Sequence, residues 1–530
     1  MKKILSIQLM ALVVLFATGC QKFSELEKDE NRPVSVTPGL IFNGVVVGMH
    51  DGAWNLLHRW NQFACCNYNY YGNQEYNWTT ASFSYTTLKN VVKMEEEALR
   101  SGLPAGNVYA ALGKFFRAFY YYKMTMLTGD IPVKQALNPS VLTPEYDTQK
   151  DVFKQVLQWL DEANTALGQL IASGDNSLSG DIYFSNNLGQ WRKVVNAFKL
   201  RVLVSLSKKE ADTDLNVKQK FQAIMSDVSN NPLLTGNADN MQYQYNSQFN
   251  KYPVNPDNYG FDATRYNMSD TYLGKLVALK DPRVFFVAEP AGAKLKSGLL
   301  PTDHNAFAGA SSAQDLADMS TRAGTDNGPA YLPGEYSFYG RKRYYTGYTA
   351  EPTIVIGYPE MCFNIAEAIN RGWVTGNAED WYKKGIQAAQ TFMGVKEGAN
   401  DVFFIKPGAS PTGADAYNKH TVNFSFNTYY AQPAVQYAGN NANGLNQVLT
   451  QKYLAFFQNS GWEAYFNYRR TGVPAFAQGG AGTGNSGQIP KRFQYPVSEQ
   501  STNSAHLSAA LQRQFGGADN INAEMWVIKN

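Results

Sequence analysis

Apolar residues recur every three or four positions over a long stretch of the chain, AALGKFFRAFYYYKMTMLTGDIPVKQAL at residues 110–137. This spacing forms a broad apolar face along one side of a helix, while Lys114, Arg117 and Lys123 fall on the other side. Gly129 follows the periodic run and Pro132 comes shortly after it, which is a normal helix end. The pattern predicts one long core helix that ends at Gly129.

The same spacing recurs in many other stretches, and it predicts a mostly helical chain with a few short strands. We expect a first helix over residues 38–60 and another that begins at Asp151, a favoured capping residue. The sequence shows no recognisable repeat with a period of about 34 residues. A terminal strand, MWVIK, is expected at residues 525–529. The other predicted helices cover residues 88–100, 187–207, 218–228, 269–279, 358–371, 377–393, 445–458 and 462–470.

Two regions lose the helical spacing and combine aromatic side chains with amide or basic ones. They cover about residues 61–87 and 231–350. Aromatic rings can cover the C–H surfaces of sugars, and amides can bond paired hydroxyls. The alternative, to which we give equal weight, is that these rings pack the loops against the rest of the protein and bind no ligand. The candidate ligand-binding residues are Asn67, Tyr70, Tyr71, Asn73, Trp78, Tyr336, Phe338, Tyr339 and Arg341, and Tyr259 and Tyr266 carry the same signature.

Composition excludes some partners and leaves others open. The 530 residues carry a net charge of +3 with 17% charged residues, so no strong field for nucleic acid is present. The 33 Tyr and nine Trp residues exceed what a core requires and suit flat polar ligands. Cys65 and Cys66 form either a vicinal disulfide or two free buried thiols, and Cys362 has no CxxC partner.

The chain has no recognisable catalytic motif. The five His residues form no HExxH or HxH pair, and no GxSxG is present. The Gly-rich segment 477–488 lacks the Lys-Ser/Thr of a phosphate-binding loop. The triplet at residues 95–97, three Glu, is interpreted as a solvated helix face. We therefore predict no metal, no cofactor and no enzyme, although a pair of carboxylates that meets only in space is the hydrolase alternative.

The N-terminus has the pattern of an exported lipoprotein. A basic start, an apolar stretch over residues 4–16 and the sequence Ala-Thr-Gly-Cys ending at Cys20 predict a signal peptide over residues 1–19 with lipidation of Cys20. The apolar stretch is too short to span a membrane. Residues 20–33 are acidic and polar, which predicts a flexible tether. An ordinary signal peptide is the alternative.

Several separated blocks of sequence form a recognisable combination. The blocks are the long helix at 110–132, NLGQW at 187–191, NAFKLR at 196–201, DPR at 281–283, EMCFNIAEAINRGW at 360–373, QKYLA at 451–455, EAY at 463–465, YRRTGVP at 468–474, IPKR at 489–492 and YP at 495–496 with Glu499. Together these blocks resemble those of the SusD/RagB-like outer-membrane lipoprotein family. Tyr453 and Tyr465 stand where the family has Trp, which is a mild departure.

The resemblance implies a SusD-like fold. A single domain over residues 34–530 would hold four tetratricopeptide-like helix pairs, with a helical scaffold over 34–230 and 355–475. This scaffold would carry a loop-rich half, in which insertions at about 61–87 and 231–350 bind the ligand. Arg469 and Arg470, in the YRRTG block, would then belong to the scaffold rather than to the ligand site.

The resemblance also implies a function without catalysis. The protein would sit at the cell surface, anchored to the outer membrane, capture an oligosaccharide or polysaccharide and deliver it to a SusC-like TonB-dependent transporter. A peptide ligand is the alternative. The candidate loops hold more Asn and Tyr than charged residues, and this composition favours sugars because a peptide site would need partners for charged termini.

Overall fold

The computed structural model of the protein describes residues 35–324 and 334–530, except for the side chains of Phe261 and Asp262. The predicted signal peptide, the lipidation site Cys20 and the acidic tether lie outside the described residues. Among the helices that the structure describes, none is long and apolar enough to cross a membrane.

Helices account for most of the regular structure, as the apolar spacing predicts. The helices are α1 (Pro38–Val47), α2 (Leu56–Trp60), α3 (Tyr85–Arg100), α4 (Val108–Thr128), α5 (Gln149–Ala172), α6 (Leu188–Ser205), α7 (Val217–Ser226), α8 (Tyr259–Asp262), α9 (Asp270–Ala278), α10 (Val284–Val287), α11 (Gly292–Lys296), α12 (Leu316–Ala323), α13 (Arg341–Tyr344), α14 (Tyr358–Asn370), α15 (Ala378–Phe392), α16 (Phe426–Tyr430), α17 (Ala442–Ala455), α18 (Glu463–Thr471), α19 (Val497–Thr502) and α20 (Ser504–Phe515).

Strands are short and occur in three antiparallel pairs within the described residues: β1 (Ala64–Cys66) with β3 (Tyr266–Met268), β2 (Met241–Tyr243) with β4 (Thr353–Ile356), and β5 (Gly398–Ile405) with β6 (Tyr417–Phe424). The β5–β6 hairpin lies in the polar segment 394–443, for which no strand was predicted.

The long helices pack in sequence order and build the scaffold. Helix α4 packs against α3 and α5, α5 packs against α6, and α14 packs against α15 and α17. Contact between α6 and α14 joins the two groups of helices. This arrangement of helix pairs confirms the mostly helical fold class.

Helix α4 shows why the scaffold forms where the sequence predicts it. The side chain of Asn107 accepts a hydrogen bond from the Ala110 amide at 3.0 Å, which caps the first turn. Gly129, at φ 105°, ends the helix at the predicted residue. The charged side is less exposed than predicted, because Arg117 bonds Glu95 at 2.6 Å on α3. Glu97 is also buried, so the expectation of a fully solvated Glu triplet was wrong.

Three predicted elements differ from the structure. The helix predicted over 38–60 is broken between α1 and α2, where Trp54 has a φ of 64°. The predicted cap Asp151 lies inside α5, because Thr148 accepts from the Asp151 amide at 3.2 Å and begins the helix earlier. The predicted terminal strand is a short 3₁₀ helix, Trp526–Ile528.

The scaffold encloses a network of buried charges. Arg201 on α6 donates to both carboxylate oxygens of Glu360 on α14, at 2.6 and 2.5 Å, and Tyr122 donates to Glu463 at 3.2 Å. Arg470 donates to Glu367 at 2.9 Å, and the Arg469 guanidinium donates to backbone carbonyls. Arg469 and Arg470 are therefore buried scaffold residues, as predicted.

Glu463 makes the stability of this network depend on pH. Burial, together with the nearby charge of Glu360, raises the pKa of the Glu463 carboxyl to about 7, although Arg201 opposes the shift. A carboxyl with a raised pKa stabilises the fold below its unfolded pKa, and this contribution is lost as the pH rises through its folded pKa. We expect the free energy of unfolding of the wild type, relative to E463Q, to fall by roughly 3 kcal/mol between pH 4 and pH 8. Urea unfolding of both proteins at the two pH values measures this, and a constant difference would contradict it.

Candidate functional site

The two loop regions that the sequence singled out meet in space. Strand β1 opens the first region and pairs with β3 in the second, so that Cys66 lies opposite Tyr266. The Asn67 side-chain amide donates to the carbonyl of Thr264 and to Asn267 Oδ1, both at 3.1 Å. Asn67 is buried, so its amide holds the two loops together and is not available to bind a ligand.

Four tyrosines gather where these strands end, and we call this cluster the tyrosine platform: Tyr68, Tyr70, Tyr71 and Tyr266. The ring centroids of Tyr70 and Tyr71 lie 5.3 Å apart, and those of Tyr71 and Tyr266 lie 6.2 Å apart. Tyr70 is 85% exposed and Tyr68 is 42% exposed. Contiguous exposed rings on a monomer are typical of a binding surface.

Two arginines lie over rings of the platform. The guanidinium of Arg265 lies 4.4 Å from the centroid of the Tyr68 ring, and that of Arg59 lies 5.7 Å from the centroid of Tyr266. Such cation–π contacts hold the rings in place. The platform is therefore aromatic with two guanidinium groups packed against it.

The backbone of the first loop is shaped to present the tyrosines. A short 3₁₀ helix, Asn69–Tyr71, carries two of them and ends at Gly72, whose φ is 106°. A Cβ at Gly72 would lie 3.0 Å from Arg59 Nη1, the atom that donates to the Asn73 carbonyl at 3.0 Å. Glycine is favoured here by both its φ and the close approach of Arg59. Asn73, predicted as a ligand residue, is half-buried beside the platform.

Trp78 does not join the platform. Only 5% of its surface is exposed, and its ring stacks on Phe493 at 4.1 Å and meets the edge of Trp60 at 5.2 Å. Because neighbouring rings cover its faces, the stacking surface expected at this residue is absent, and we treat Trp78 as a core residue.

The segment with Tyr336, Phe338, Tyr339 and Arg341 lies beneath the surface. All four are buried, and Tyr339 stacks on Tyr266 at 6.2 Å from below the platform. The Arg341 guanidinium lies among rings, 5.0 Å from that of Phe338, and its amide donates to Glu289 at 2.7 Å. Of these four residues, Tyr339 supports the platform through its contact with Tyr266. Tyr336 and Phe338 instead line a separate cleft of about 120 Å³, and none of the four presents a mostly exposed side chain, contrary to the expectation of direct contact.

Sequence reasoning missed three residues of the site. Tyr68 belongs to the platform and Arg59 and Arg265 contact it, yet none of the three was predicted as a ligand-binding residue. Tyr68 belongs to the same aromatic run as Tyr70, and Arg265 directly precedes Tyr266. The pairing of β1 with β3 brings these cations to the rings. This pairing cannot be predicted from the sequence of either loop alone.

The described cysteines are free thiols, two of them on β1 next to the platform. Cys65, Cys66 and Cys362 are free and buried, so the structure adopts free thiols rather than the vicinal disulfide. Burial raises the pKa of the Cys65 thiol to about 12, which keeps it protonated and unreactive at neutral pH. Within the described part of the chain, no three His, Cys, Asp or Glu side chains come together in a group that could hold a metal ion.

The helical scaffold with a loop-built aromatic surface defines a class of binding protein, and comparison with known proteins identifies the family. A family profile described as starch-binding and associating with the outer membrane, SusD-like, matches residues 30–496. The chain therefore belongs to the SusD-like family, as the sequence blocks predicted. A search of curated proteins finds no match.

Solved structures agree with this assignment. Two SusD homologues from Bacteroides fragilis share 29% and 31% sequence identity with the chain, with TM-scores of 0.79 and 0.74. The alignments cover 93% and 94% of this chain and 100% of each homologue. A chitin-binding SusD homologue from Flavobacterium johnsoniae shares the fold at 19% identity and a TM-score of 0.63, with 93% and 96% coverage.

Proposed function

We propose that the protein is a non-catalytic glycan-binding lipoprotein of the cell surface. The observation that carries this proposal is the tyrosine platform, an exposed aromatic surface built by two loop regions on a rigid helical scaffold. Its rings can cover the C–H faces of successive sugar units, and the N–H groups of Arg59 and Arg265 can bond hydroxyls. Membership of a starch-binding family and the chitin-binding homologue support a sugar ligand.

The sequence supplies the rest of the proposal. We infer that residues 1–19 are removed, that Cys20 is lipidated and anchors the protein to the outer membrane, and that residues 34–530 form one domain at the cell surface. In this location the captured oligosaccharide or polysaccharide would pass to a SusC-like TonB-dependent transporter. Association of the family with the outer membrane supports the location.

Removal of two platform rings tests the proposal. We expect Y70A/Y71A to bind its polysaccharide roughly tenfold more weakly than the wild type, since each stacked ring contributes about 0.5–1.5 kcal/mol. Native affinity gels containing soluble starch or a soluble chitin derivative measure the change in retardation. The matched control is Phe249→Ala, which removes a ring that is 91% exposed and lies outside the platform.

The outcomes separate the ligand classes. Loss of retardation in Y70A/Y71A with normal retardation in F249A supports the platform as the site. Equal retardation of both variants and the wild type would remove the platform from glycan binding. If neither polymer retards the wild type, calorimetry with peptides tests the alternative in which the same surface binds a peptide for import.

A further inference from the structure

A separate cleft lies on the scaffold side of α2. Arg59 supports the tyrosine platform, but the next residue, Trp60, lines this cleft, whose volume is about 320 Å³. The Trp60 indole donates to the carbonyl of Glu75 at 3.0 Å, so the first loop passes close to the cleft on its way back to the scaffold. No residue of the tyrosine platform lines the cleft.

One wall of the cleft is aromatic. Trp60 and Trp462 stack with centroids 5.7 Å apart, and Phe493 meets Trp462 edge-on at 5.4 Å. Both indoles are half-buried, so part of each remains accessible from the cleft. Fixed rings of this kind provide a rigid apolar surface at low entropic cost.

The charged residues that line the cleft are paired with each other. Lys123 on α4 donates to both carboxylate oxygens of Asp51 at 2.8 Å, and these are the two charged residues that line the cleft. Three residues with hydroxyl groups, Thr80, Ser82 and Ser84, also line the cleft. Because the charges of Lys123 and Asp51 neutralise each other, the cleft lining has no net charge and does not favour a charged ligand over a neutral one.

We propose that this cleft is a second ligand site that binds a short neutral saccharide. A sugar ring has apolar C–H faces for the aromatic wall and hydroxyls that both donate and accept hydrogen bonds. The Asp51–Lys123 pair offers an acceptor and a donor side by side, which matches adjacent hydroxyls. The volume falls near the lower end of ligand pockets, about 300–1,000 Å³, and so suits one or two sugar units rather than a long chain.

The inference deepens the proposed function by adding a site for single units or chain ends, but it does not depend on the platform. Calorimetry of the Y70A/Y71A protein, in which the platform is removed, tests it with glucose, maltose, N-acetylglucosamine and chitobiose. We expect at least one of these sugars to bind with one-to-one stoichiometry. Trp462→Ala and Lys123→Met, each added to that protein, should weaken this binding at least tenfold.

The control is Trp381→Ala, which removes a half-buried indole of α15 that lies outside the cleft and should leave the affinity unchanged. Circular dichroism checks the fold of each variant, and Lys123→Met provides the test if Trp462→Ala does not fold. Absence of binding for all four sugars, or binding that Lys123→Met leaves unchanged, would overturn the second site. If a small sugar binds but no polymer retards the wild type, the result would contradict glycan binding by the tyrosine platform and support saccharide binding by the cleft.

Discussion

Arg201→Met is expected to lower the free energy of unfolding by about 3–5 kcal/mol, because it leaves buried carboxylates without their cation. Arg201 and its partners Glu360 and Glu463 are each about 5% exposed. Arg201 also donates to the Val355 carbonyl at 2.7 Å, a bond that Met cannot replace. Urea denaturation of the purified variant measures the loss.

Two further variants separate the charge effect from a packing effect. Arg322→Met breaks an ion pair with Glu335, 2.6 Å long, whose side chains are 45% and 49% exposed. Exposed pairs contribute about 0–1 kcal/mol, so this control should lose little. The double variant R201M/E360M replaces the pair with apolar side chains and should recover much of the loss. A loss in R201M no larger than in R322M would contradict a structural role for the buried network.

The network and the platform are physically connected through the scaffold. Arg201 joins α6 to α14, which link the N-terminal and C-terminal groups of helices. Both loop regions emerge from this packed scaffold, and short strand pairs join them. Loops that present rings to a ligand need such support, because mobile rings would lose conformational freedom on binding and weaken the affinity.

The sequence predicted the long helices well because their apolar spacing and caps are local signals. Helix α4 begins two residues before the predicted start and ends at Gly129, as expected. The break between α1 and α2 depends on distant contacts instead. Trp54 donates from its indole to Tyr252 at 2.8 Å and from its backbone to Gln458 at 2.6 Å. These partners are remote in sequence, so the apolar spacing alone continues through the break.

The hairpin was missed for a different reason. Strand β6 is mostly polar and has no buried residue, so it lacks the apolar alternation that indicates a strand. Pairing with β5 in full register supplies its hydrogen bonds.

The two loop regions that the sequence singled out pair in space, but which of their rings are exposed could not be predicted residue by residue. Composition does not tell which rings are covered, and Trp78 and Tyr339 are buried whereas Tyr70 is exposed. The cations beside the platform depend on the β1–β3 pairing, which is a tertiary contact. Exposure, rather than residue type, therefore separates platform residues from their support.

Trp191→Ala should also lower the free energy of unfolding by about 3–5 kcal/mol, since it removes a fully buried ring from the junction of three helices. The Trp191 ring lies 5.9 Å from Phe42 on α1 and 5.9 Å from Phe115 on α4. Its indole also donates to Asp181 at 2.9 Å, and the alanine variant leaves that carboxylate without this bond.

A matched tryptophan shows how much of this loss comes from burial. Trp381→Ala removes a half-buried indole of α15, over which the Lys384 ammonium lies at 4.5 Å, and should cost about 1 kcal/mol. Urea unfolding of both variants gives the comparison. Equal losses would contradict the view that Trp191 joins α1, α4 and α6. A much larger loss in W191A means that the NLGQW block stabilises the scaffold, independently of any ligand.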